Sequence, residues 1–416
     1  MQTWLIEPRD PLIVRDGRPF SADIAGARAT SLDFPFPSTT TGGVRTRQGL
    51  ASGGFGNRPP EEIGRLITEL KEKVTVCGPL LVALDGDGEI NDWLIPAPND
   101  VLFCNLEPDA KGYVPNDRAR LIRLSPLQMP DDSFTNLPSK DLVPVGTWQC
   151  LGKPFADAPR YWRLERFKGW LTNPQACGDV GIVDWGHDGP LKETRTHVGI
   201  LPASQTAIDG ALYQTRGLEF THQGKPPHVG GQRLALAIWT TAEKLFEALV
   251  PFGGERRLTH WRRSEKAIEV EFSECNKAVV ESIKRSREGN SYFCRLVLLT
   301  PAHFTNGFSP GWVGTDNPDV AIELRGAAIN RAQVVSGWDF DRTKSKHGQP
   351  KATRRLAPSG SVYFLKLTGP ETKVLDWCAK MWLHCVSDDE QDCRDGFGLS
   401  ALGTWSGKYE SAEVKS

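Results

Sequence analysis

Several short motifs of the sequence place arginine beside carboxylate, hydroxyl or glycine residues, a combination that suits the binding of anions. The first motif, EPRDPLIVRDGRPF, carries Arg9, Arg15 and Arg18 with Asp10 and Asp16 between them. A guanidinium held by an aspartate can still present parallel N–H donors to a phosphate. We therefore take Arg15 and Arg18 as candidate phosphate contacts. The alternative is a solvated strand end with alternating charges.

The second motif, STTTGGVRTR, joins hydroxyl groups, two glycines and two arginines at the expected start of a helix. Free backbone N–H groups and the helix dipole attract anions to such an end. The candidate residues are Ser38, Thr39, Arg45 and Arg47. The spacing and the lysine of a P-loop are absent. A purely structural helix cap is the alternative interpretation.

The segment TRTHVGI places Arg195 and His197 on one face of a strand, because side chains alternate along a strand. His197 is of a type that serves as a general base or as an RNA contact, although a lone histidine on a strand is more often structural. No second histidine or carboxylate is spaced to complete an acid–base pair with it. We therefore assign no catalytic residue.

Two glycine-rich segments, GGERR and GFGLSALG, are expected to form turns whose backbone can approach a ligand closely. Their residues of interest are Gly253, Gly254, Arg256, Arg257, Gly396, Gly398 and Gly403. The two turns stand at equivalent places in the two halves of the chain. This favours a shared architecture more than it favours any particular ligand.

Residues 342–355 form the most basic stretch of the chain and contain no acidic residue. Lysine and arginine make most phosphate contacts, so this stretch is a candidate loop along a nucleic-acid backbone. Its cations are Arg342, Lys344, Lys346, Lys351, Arg354 and Arg355. A solvated hairpin tip is the alternative. The acidic run at 387–392 would repel nucleic acid and suits a protein partner or solvent.

No metal, cofactor or nucleotide site is predicted. The acidic run DGDGEIND has Ile90 where an EF-hand loop needs glycine, so we interpret it as a turn. The nine cysteines contain no C-x-x-C pair and no histidine pair stands near them at zinc spacing. We expect reduced, mostly buried thiols. No Ser-His-Asp arrangement is found.

The charge balance limits the kind of partner that the protein can have. The 416 residues include 50 Lys+Arg and 51 Asp+Glu, for a net charge of −1. A uniformly basic nucleic-acid binder, with a pI above about 9, is excluded, so any such binding must come from local charge.

The length suggests about two or three domains. We find no apolar run of the ~18 residues that span a bilayer and no signal peptide, which predicts a cytoplasmic protein with no membrane partner.

Hydrophobic periodicity predicts two helices in the first part of the chain. After a strand at TWLIEP, a helix is expected with Ser38, Thr39 or Thr40 as its N-cap and Ala51 near its end. A second helix begins at Pro60 with two glutamates in its first turn. Its predicted buried face consists of Ile63, Leu66, Ile67, Leu70 and Val74.

A hairpin turning at Asp85–Gly88 follows the second helix. Residues 97–190 show no strong periodicity, and we interpret 52–190 as an insertion. From there, two strands are predicted over 193–220. They are followed by a strand at RLALAIWTT, a short amphipathic helix at AEKLFEALVPF and the turn GGERR.

The second half repeats the order strand, helix, glycine-rich turn. Its predicted elements are strands at SYFCRLVLLTPAHF, VAIELRGAAI, AQVVSGWDF and SVYFLKLTG, a helix at PETKVLDWCAKMWLHCV and the turn GFGLSALGTW. The repeat predicts an α+β fold of two ferredoxin-like (RRM-like) β-α-β-β-α-β domains. We place them at 1–275, with the insertion, and at 276–416. The aromatic motif of the standard RNA-stacking sheet is not visible, so binding by that platform is not supported.

Six motifs together resemble one family of proteins. They are EPRDPLIVRDGRPF, FPFPSTTTGGVRTRQG, ETRTHVGI followed by DGALYQTRGLEF, PFGGERR, SGSVYFLKL and GFGLSALGTW. In this order they are similar to the third subunit of the Cmr complex, a RAMP (repeat-associated mysterious protein) of type III-B CRISPR effectors that is related to the fifth Cas group. The motifs extend from residue 4 to 405, and the region 52–190 is the least diagnostic.

The resemblance implies a non-catalytic subunit at the foot of a ribonucleoprotein filament in antiviral defence. Such a subunit holds the repeat-derived 5′ tag of the crRNA and docks the large Palm-domain (cyclase) subunit and the first backbone RAMP subunit. The RNA-contact candidates that it implies are Arg15, Arg18, Ser38, Thr39, Arg45, Arg47, His197, Gly253, Gly254, Arg256 and Arg257, with Gly396 and Gly398 in a second glycine-rich loop. Two alternatives stay open: a guide-processing RAMP endoribonuclease that uses His197, and a scaffold that binds only protein.

Overall fold

A computed structural model describes most of the chain. The described residues are 1–15, 28–29, 31–56, 58–108, 112–130, 132–139, 141–148, 152–175, 178–222, 232–315, 319–339 and 348–411. Three predicted RNA contacts, Arg18, Lys344 and Lys346, lie outside these ranges, as do Cys150 and Cys177. The seven cysteines within them are free thiols, and all but Cys393 are buried.

The described residues combine helices with many short strands. The helices are α1 (Pro37–Ala51), α2 (Pro60–Lys73), α3 (Leu164–Thr172), α4 (Ile182–Trp185), α5 (Ile268–Glu271), α6 (Ser273–Arg285), α7 (Glu371–Met381) and α8 (Glu390–Arg394). The strands of the first half are β1 (Gln2–Pro8), β2 (Arg28–Ala29), β3 (Val76–Leu84), β4 (Ile90–Pro96), β5 (Val101–Cys104), β6 (Arg118–Arg123), β7 (Ser125–Pro126), β8 (Val145–Gly146), β9 (Tyr161–Arg163), β10 (Asp179–Gly181), β11 (Gly186–His187), β12 (Leu191–Ile200), β13 (Ala207–Glu219) and β14 (Thr221–His222). Those that follow are β15 (Gln232–Thr240), β16 (Ala248–Phe252), β17 (Arg257–Ser264), β18 (Ser291–Leu298), β19 (Ala321–Ala328), β20 (Gln333–Val335), β21 (Trp338–Asp339), β22 (Gln349–Pro350), β23 (Arg354–Leu356), β24 (Val362–Thr368) and β25 (Ser400–Thr404). This mixture agrees with the predicted α+β class.

The first large sheet has nine strands in the order β11-β9-β4-β3-β15-β1-β17-β16, with β14 beside β15. Its neighbouring strands run antiparallel. β3 is buried at every position because both of its faces are covered. Leu81 packs in one cluster with Val44 of α1 and Leu66 of α2, whereas Val82 packs in another with Trp162. The predicted hairpin between β3 and β4 is confirmed.

The second large sheet has four antiparallel strands in the order β19-β24-β18-β25. α6 and α7 pack on it, with Val279 of α6 and Val374 of α7 in the same buried cluster as Leu296 of β18. The predicted strands at 291 and 362 and the helix after Pro370 are confirmed. The helix ends at Met381, earlier than predicted, since Trp382 takes an extended backbone conformation.

Local sequence explains the ends of α2. Proline lacks an N–H group, so Pro60 fits the first helical position, and Glu61 and Glu62 in the first turn favour the positive end of the helix dipole. The lysines of its last turn suit the negative end. Of the predicted apolar face, Ile67 alone is only half-buried.

The N-cap predicted for α1 is wrong. The helix begins at Pro37, after Phe36, whose side chain cannot accept a capping hydrogen bond. The hydroxyl of Thr40 donates instead to the carbonyl oxygen of Pro37 at 2.9 Å. Ser38 and Thr39 therefore lie inside the first turn, where both are half-buried.

The helix predicted at AEKLFEALVPF is also wrong. Residues 248–252 form the edge strand β16, which pairs with β17 from Ala248 opposite Trp261 to Phe252 opposite Arg257. Phe252 packs edge-on to Trp261, with ring centroids 5.7 Å apart, whereas Leu249 faces solvent. Alanine, glutamate and leucine favour a helix locally, but pairing with β17 and burial of alternate side chains override that preference.

The region interpreted as an insertion supplies part of the core. β9 extends the nine-stranded sheet beside β4, and the unpredicted helix α3 brings Phe167 and Trp170 into the interior. Asp100 pairs with Arg295 of β18, and both side chains are 1% exposed. Arg295 also donates to the carbonyl oxygens of Trp170 at 2.6 Å and Thr404 at 2.8 Å. These contacts tie the region 97–190 to the second sheet.

The two large sheets share one buried cluster. It contains Leu5 and Val82 from the first sheet together with Leu296 and Leu365 from the second. The predicted boundary at 275/276 falls within α6. The division into 1–275 and 276–416 stays a prediction.

Candidate nucleic-acid interface

β12 and β13 form a long hairpin, which confirms the two strands predicted over 193–220. Their pairing extends from Leu191 opposite Glu219 to Val198 opposite Leu212, with an irregularity before Ile200. At the base, Leu12 and Leu218 exchange two backbone hydrogen bonds of 2.8 Å. Towards the tip both faces are open to solvent, and the side chains of Val198 and Leu212 are 46% and 56% exposed.

One face of this hairpin is polar and aromatic, as the alternation of Arg195 and His197 predicted. Arg195 lies opposite Thr215 and His197 opposite Tyr213. Nε2 of His197 is 2.8 Å from Oγ1 of Thr215, and its ring stacks on Tyr213 with centroids 5.0 Å apart and an angle of 15°. Nε of Arg195 donates to Oε1 of Glu193 at 2.5 Å. We call these residues the polar hairpin face.

The turn at 253–257 packs against the segment that leads to the base of the hairpin. The N–H group of Gly254 donates to the carbonyl oxygen of Ile13 at 2.6 Å. Gly253 has φ of +73°, and a Cβ atom there would lie 2.7 Å from the same oxygen. The close approach that was predicted for a ligand is therefore made to Ile13. Glu255 and Arg256 also adopt left-handed conformations, with φ of 56° and 52°.

Arginine side chains gather beside this turn. Nη2 of Arg257 lies 3.1 Å from Oε2 of Glu255, and its Nε is buried without a hydrogen-bond partner in the described ranges. Arg15 lies 3.9 Å from the other oxygen of Glu255. Arg256 is exposed and makes no ion pair or hydrogen bond with any described residue. A single glutamate, Glu255, thus lies beside two guanidiniums, and a third, that of Arg256, is exposed to solvent.

The polar hairpin face and the turn meet at one place. Arg195 and Arg257 line a common small depression with Glu193, Thr215 and Ile13. The pKa of Arg195 is raised, mainly by its hydrogen bond to Glu193. Folding therefore brings together the predicted contacts Arg15, His197, Arg256 and Arg257.

Arg45, in contrast, is not available to a ligand, which corrects its prediction. Its Nη1 lies 2.6 Å from Oδ1 of Asp395, and its Nη2 donates to the carbonyl oxygen of Val74 at 2.9 Å. Thr41 donates to the carbonyl oxygen of Asp395 at 2.8 Å. These bonds fasten α1 to the turn that precedes β25.

Arg47 is a core residue, which corrects a second prediction. Its guanidinium lies over the ring of Trp261, 4.8 Å from the centroid, and it donates to the carbonyl oxygen of Phe246. Burial lowers the pKa of Arg47. Its Nη1 is buried and has no hydrogen-bond partner within the described part of the chain.

The second glycine-rich segment also serves the packing of the chain. Gly396 has φ of +94°, and a Cβ atom there would lie 2.8 Å from the carbonyl oxygen of Gly78. At Gly398, with φ of +86°, a Cβ atom would lie 2.7 Å from the backbone nitrogen of Ser387. Gly403 lies within β25 and not in a loop, which corrects that prediction.

Of the basic stretch 342–355, residues 348–355 are described. Arg354 pairs with Asp392, whose other oxygen lies 2.7 Å from Nδ1 of His303. The guanidinium of Arg354 is therefore engaged inside the protein. Arg355 is exposed and has no hydrogen bond or ion pair to a described residue.

The sequence did not point to Tyr213. Its place beside His197 depends on the pairing register across the connection 201–206, which the chain pattern does not reveal. The useful signal was the alternation of side chains in two strands joined by a short turn. The alternation also predicts Arg195 on the same face as His197, but no motif of the sequence marks Arg195 as an RNA contact.

The geometry of this surface suits binding more than chemistry. The hydrogen-bond partner of His197 is a threonine hydroxyl, and a carboxylate would orient a general base more effectively. Within the described ranges, no three His, Cys, Asp or Glu side chains are grouped so that they could hold a metal ion. None of the described helices has the length and apolar character to cross a membrane.

The described elements define an α+β protein with antiparallel sheets and an exposed polar hairpin. Residues 4–405 match the family model described as CRISPR-associated protein (Cas_Cmr3). The chain belongs to this family, so the predicted resemblance to the third Cmr subunit is confirmed. Membership of this family supports the assignment of the chain as a subunit of a type III CRISPR effector.

Solved structures include chains similar to this one. One, from the type III-B Cmr-β complex bound to cognate target RNA and AMPPnP, is 14% identical with a TM-score of 0.42, over 87% of this chain and 86% of that chain. A second, from Cmr-β bound to cognate target RNA, is 15% identical with a TM-score of 0.43 and the same coverages. A chain of the Csm3–Csm4 subcomplex of the type III-A interference complex is 9% identical with a TM-score of 0.35, over 87% and 92%. Comparison with curated proteins finds no match. The family assignment rests on the family model.

Proposed function

We propose that this protein is a non-catalytic subunit of a type III-B CRISPR–Cas (Cmr) effector complex that binds the 5′ tag of the crRNA. It would act in antiviral defence in the cytoplasm. The family membership supports a role in a CRISPR effector. The observation that carries RNA binding is the polar hairpin face, where the His197–Tyr213 stack lies near Arg195 and Arg257.

This surface offers the two kinds of contact that single-stranded RNA uses. Guanidiniums bind phosphates, and unstacked bases lie on aromatic rings. The stacked rings of His197 and Tyr213 are half-buried and leave part of their surface open. The carboxylates of Glu193 and Glu255 hold Arg195 and Arg257 in place. A guanidinium that is already oriented loses less side-chain freedom when it binds a phosphate.

The structure changes the set of contacts that we propose. The set now consists of Arg15, Arg195, His197, Tyr213, Arg256 and Arg257, with Gly253 and Gly254 shaping the turn. Arg18, Ser38, Thr39, Lys344, Lys346 and Arg355 remain candidates. The residues withdrawn are Arg45, Arg47 and Arg354, because their side chains are engaged inside the protein, together with Gly396, Gly398 and Gly403, which serve packing.

We also propose that each large sheet contains one ferredoxin-like unit. In the first sheet, β1, β3, β15 and β17 lie in the order β3-β15-β1-β17, and in the second, β18, β19, β24 and β25 lie in the order β19-β24-β18-β25. Both orders place the first strand between the third and the fourth, with the second strand outside the third. The first unit has α1 after its first strand, and the second unit has α7 after its third. A β-α-β-β-α-β unit has two helices. The first unit therefore has the first of them, and the second unit has the second.

We propose that the protein partners dock on exposed apolar surfaces away from the polar hairpin face. The tip of the hairpin exposes Val198, Ile200 and Leu212 by 46%, 55% and 56%. Phe134 is 98% exposed in the loop before β8. Exposed apolar side chains that stand together, as at the tip of the hairpin, mark protein contacts, and Phe134 is a further candidate. The proposed partners are the large Palm-domain subunit and the first backbone RAMP subunit.

Salt titration tests the RNA surface. The affinity of the purified full-length chain for single-stranded repeat RNA is measured at several salt concentrations. Arg195→Ala and Arg256→Ala should each weaken binding and lower the slope of log affinity against log salt by about one unit, since each removes about one phosphate contact. Arg65→Ala is the matched control, because Arg65 is exposed on α2 and has no described partner.

A stacking variant complements this titration. Tyr213→Leu keeps an apolar side chain but removes the ring, and it should cost about 1–3 kcal/mol of binding free energy without changing the salt slope. Affinities and slopes equal to those of the unaltered chain in all three hairpin and turn variants would exclude this surface as the RNA site.

A further inference from the structure

We propose that Glu255 is a built-in competitor of the RNA: its carboxylate takes the place of a phosphate between Arg15 and Arg257 and must leave when RNA binds. This inference rests on the proposed RNA-binding function and concerns how that site is regulated. Oε1 of Glu255 lies 3.9 Å from Nη2 of Arg15, and Oε2 lies 3.1 Å from Nη2 of Arg257. One carboxylate thus lies between two guanidiniums, where a phosphate could present two of its oxygens.

The pairing of Arg257 with this carboxylate is incomplete. Nε and Nη2 of a guanidinium carry parallel N–H bonds on one edge, which a phosphate can satisfy together. Glu255 accepts from Nη2, whereas Nε is buried without a hydrogen-bond partner in the described ranges. A buried donor without an acceptor is costly, so a ligand that accepts from both atoms satisfies this edge better. Because Oε2 of Glu255 stands at the edge, a phosphate can reach both donors only after the carboxylate has moved.

Arg195 shows the opposite arrangement. Glu193 accepts from Nε of Arg195, and the two Nη groups of Arg195 have no acceptor among the described residues. These Nη groups form the second parallel pair of a guanidinium, so Arg195 can bind a phosphate while Glu193 holds it. Arg257 is engaged at Nη2, which belongs to both parallel pairs. Glu193 therefore orients its arginine, whereas Glu255 obstructs the binding of an anion.

The backbone at Glu255 adopts a conformation that favours glycine. Its φ is 56°, in the left-handed region, and φ of the following Arg256 is 52°. This region is unfavourable for a residue with a Cβ atom, and strain of this kind is found at functional positions. Glycine fits the same backbone without this cost. Glu255→Gly is therefore a variant that removes the carboxylate and keeps the turn.

Displacement of the carboxylate sets a condition for RNA binding. A strand must make enough contacts along the polar hairpin face to offset the loss of the two ion pairs of Glu255. A strand that reaches only the turn meets the carboxylate, whose charge repels a phosphate. Glu255 therefore lowers the affinity for RNA in general, and it lowers most the affinity for RNA that engages the turn alone.

Two variants of Glu255 test this inference in the purified full-length chain. Glu255→Gln removes the charge and keeps the size of the side chain, whereas Glu255→Gly removes the side chain. Both should raise the affinity for single-stranded repeat RNA roughly two- to tenfold, because partly exposed ion pairs no longer have to be broken. Both should also steepen the slope of log affinity against log salt by about one unit, since one more net positive charge meets the RNA.

Glu265→Gln is the matched control. Glu265 also pairs with an arginine, Arg263, at 3.5 Å. β17, with its eight residues, separates it from Glu255. This is roughly 25 Å of strand, more than the Debye length of about 10 Å at 0.1 M salt, so its affinity and salt slope should equal those of the unaltered chain. In a chain that carries Arg257→Ala, Glu255→Gln should raise the affinity less, because one of the obstructed guanidiniums is gone.

The outcomes separate this inference from the proposed function. If the unaltered chain binds RNA and neither Glu255 variant binds it more tightly, or if Glu265→Gln gains as much, the inference is overturned and the RNA function stands. If the unaltered chain does not bind RNA but the Glu255 variants bind it with a steep salt dependence, the carboxylate is a block and the proposed function of the chain fails. If none of these proteins binds RNA, both are overturned.

Discussion

Some arginines of this chain have a structural role in its interior, and others have exposed side chains that suit the proposed RNA contacts. Arg45 and Arg47 stand in one motif with hydroxyl and glycine residues, yet the first is held by Asp395 and the second lies over Trp261. Arg195 and Arg256 are exposed. The sequence could not separate these roles, because the partners of Arg45 and Arg47 lie far along the chain and reach them only through the fold.

Replacement of Arg47 should affect stability and not RNA binding. Arg47→Ala removes the contact with Trp261 and the hydrogen bond to Phe246, so the free energy of unfolding should fall by roughly 1–3 kcal/mol. Urea unfolding measures this, with Arg65→Ala as a control that should stay within about 0.5 kcal/mol. Reduced RNA affinity of the folded Arg47→Ala protein would contradict the placement of Arg47 in the core.

Replacement in the buried pair Asp100–Arg295 should lower the stability of the protein more than replacement of Arg47 does. Asp100→Asn keeps the size of the side chain but leaves the Arg295 charge buried without its partner, which should lower the free energy of unfolding by about 3–5 kcal/mol. Asp87→Asn, in an exposed turn, is the matched control. Equal stabilities of the two variants would show that the pair does not tie the region 97–190 to the second sheet.

At the scale of elements, α1 carries two adjacent glycines with different surroundings. A Cβ atom on Gly43 would lie 2.9 Å from the ring of Phe252, whereas one on Gly42 has nothing within 4 Å. Gly42→Ala should therefore stabilise the protein by about 1 kcal/mol through helix propensity. Gly43→Ala should be less stable than Gly42→Ala by about 1–3 kcal/mol, because it crowds the ring. Thermal or urea unfolding compares the two. Equal stabilities would mean that α1 does not approach β16 this closely.

Glu7 of β1 links three strands and should make stability depend on pH. Its carboxylate lies 2.6 Å from both Arg262 of β17 and Arg233 of β15. Burial raises the pKa of Glu7, but the hydrogen bonds and charges of the two arginines outweigh this, and the pKa lies below its ordinary value of 4.5. The stabilisation is therefore complete above about pH 4.5 and is lost as the pH falls through the lowered pKa.

Glu7→Gln tests this dependence. The variant should be less stable at neutral pH, and it should lose less stability on acidification than the unaltered protein. Urea unfolding between about pH 7 and pH 3 measures both effects. If the free energy of unfolding falls equally with pH in the two proteins, Glu7 is not the source of the pH dependence.

Local sequence patterns predicted the elements whose own residues are mostly apolar or form an apolar face. β3, β15, β18 and β24 consist largely of apolar residues, and α2 has a clear apolar face between Pro60 and its lysines. The helix predicted at 242–252 failed because strand pairing with β17 decides its conformation. α3 was missed because Phe167, Trp170 and Leu171 are buried by contacts with distant segments.

At the scale of the whole molecule, the two sheets and the region 97–190 form one packed body. The sequence motifs predicted the family. The repeat proposed from the sequence includes a helix at 242–252, where the structure has the edge strand β16, so the two ferredoxin-like domains stay a proposal. The sequence did not reveal that the turn at 395–398 packs on α1 and β3, since these partners are more than 300 residues apart. Glycines and arginines that looked like ligand contacts proved to serve this packing.

Protection of the crRNA 5′ tag in the assembled Cmr complex tests the central claim most directly. Complexes are assembled with the unaltered subunit, with a triple variant Arg195→Ala, Tyr213→Leu and Arg256→Ala, and with Arg65→Ala, and the tag is then probed with a nuclease. The unaltered and Arg65→Ala complexes should protect the tag, whereas the triple variant should assemble and leave it open to cleavage. Full protection of the tag in an assembled triple-variant complex would contradict the account.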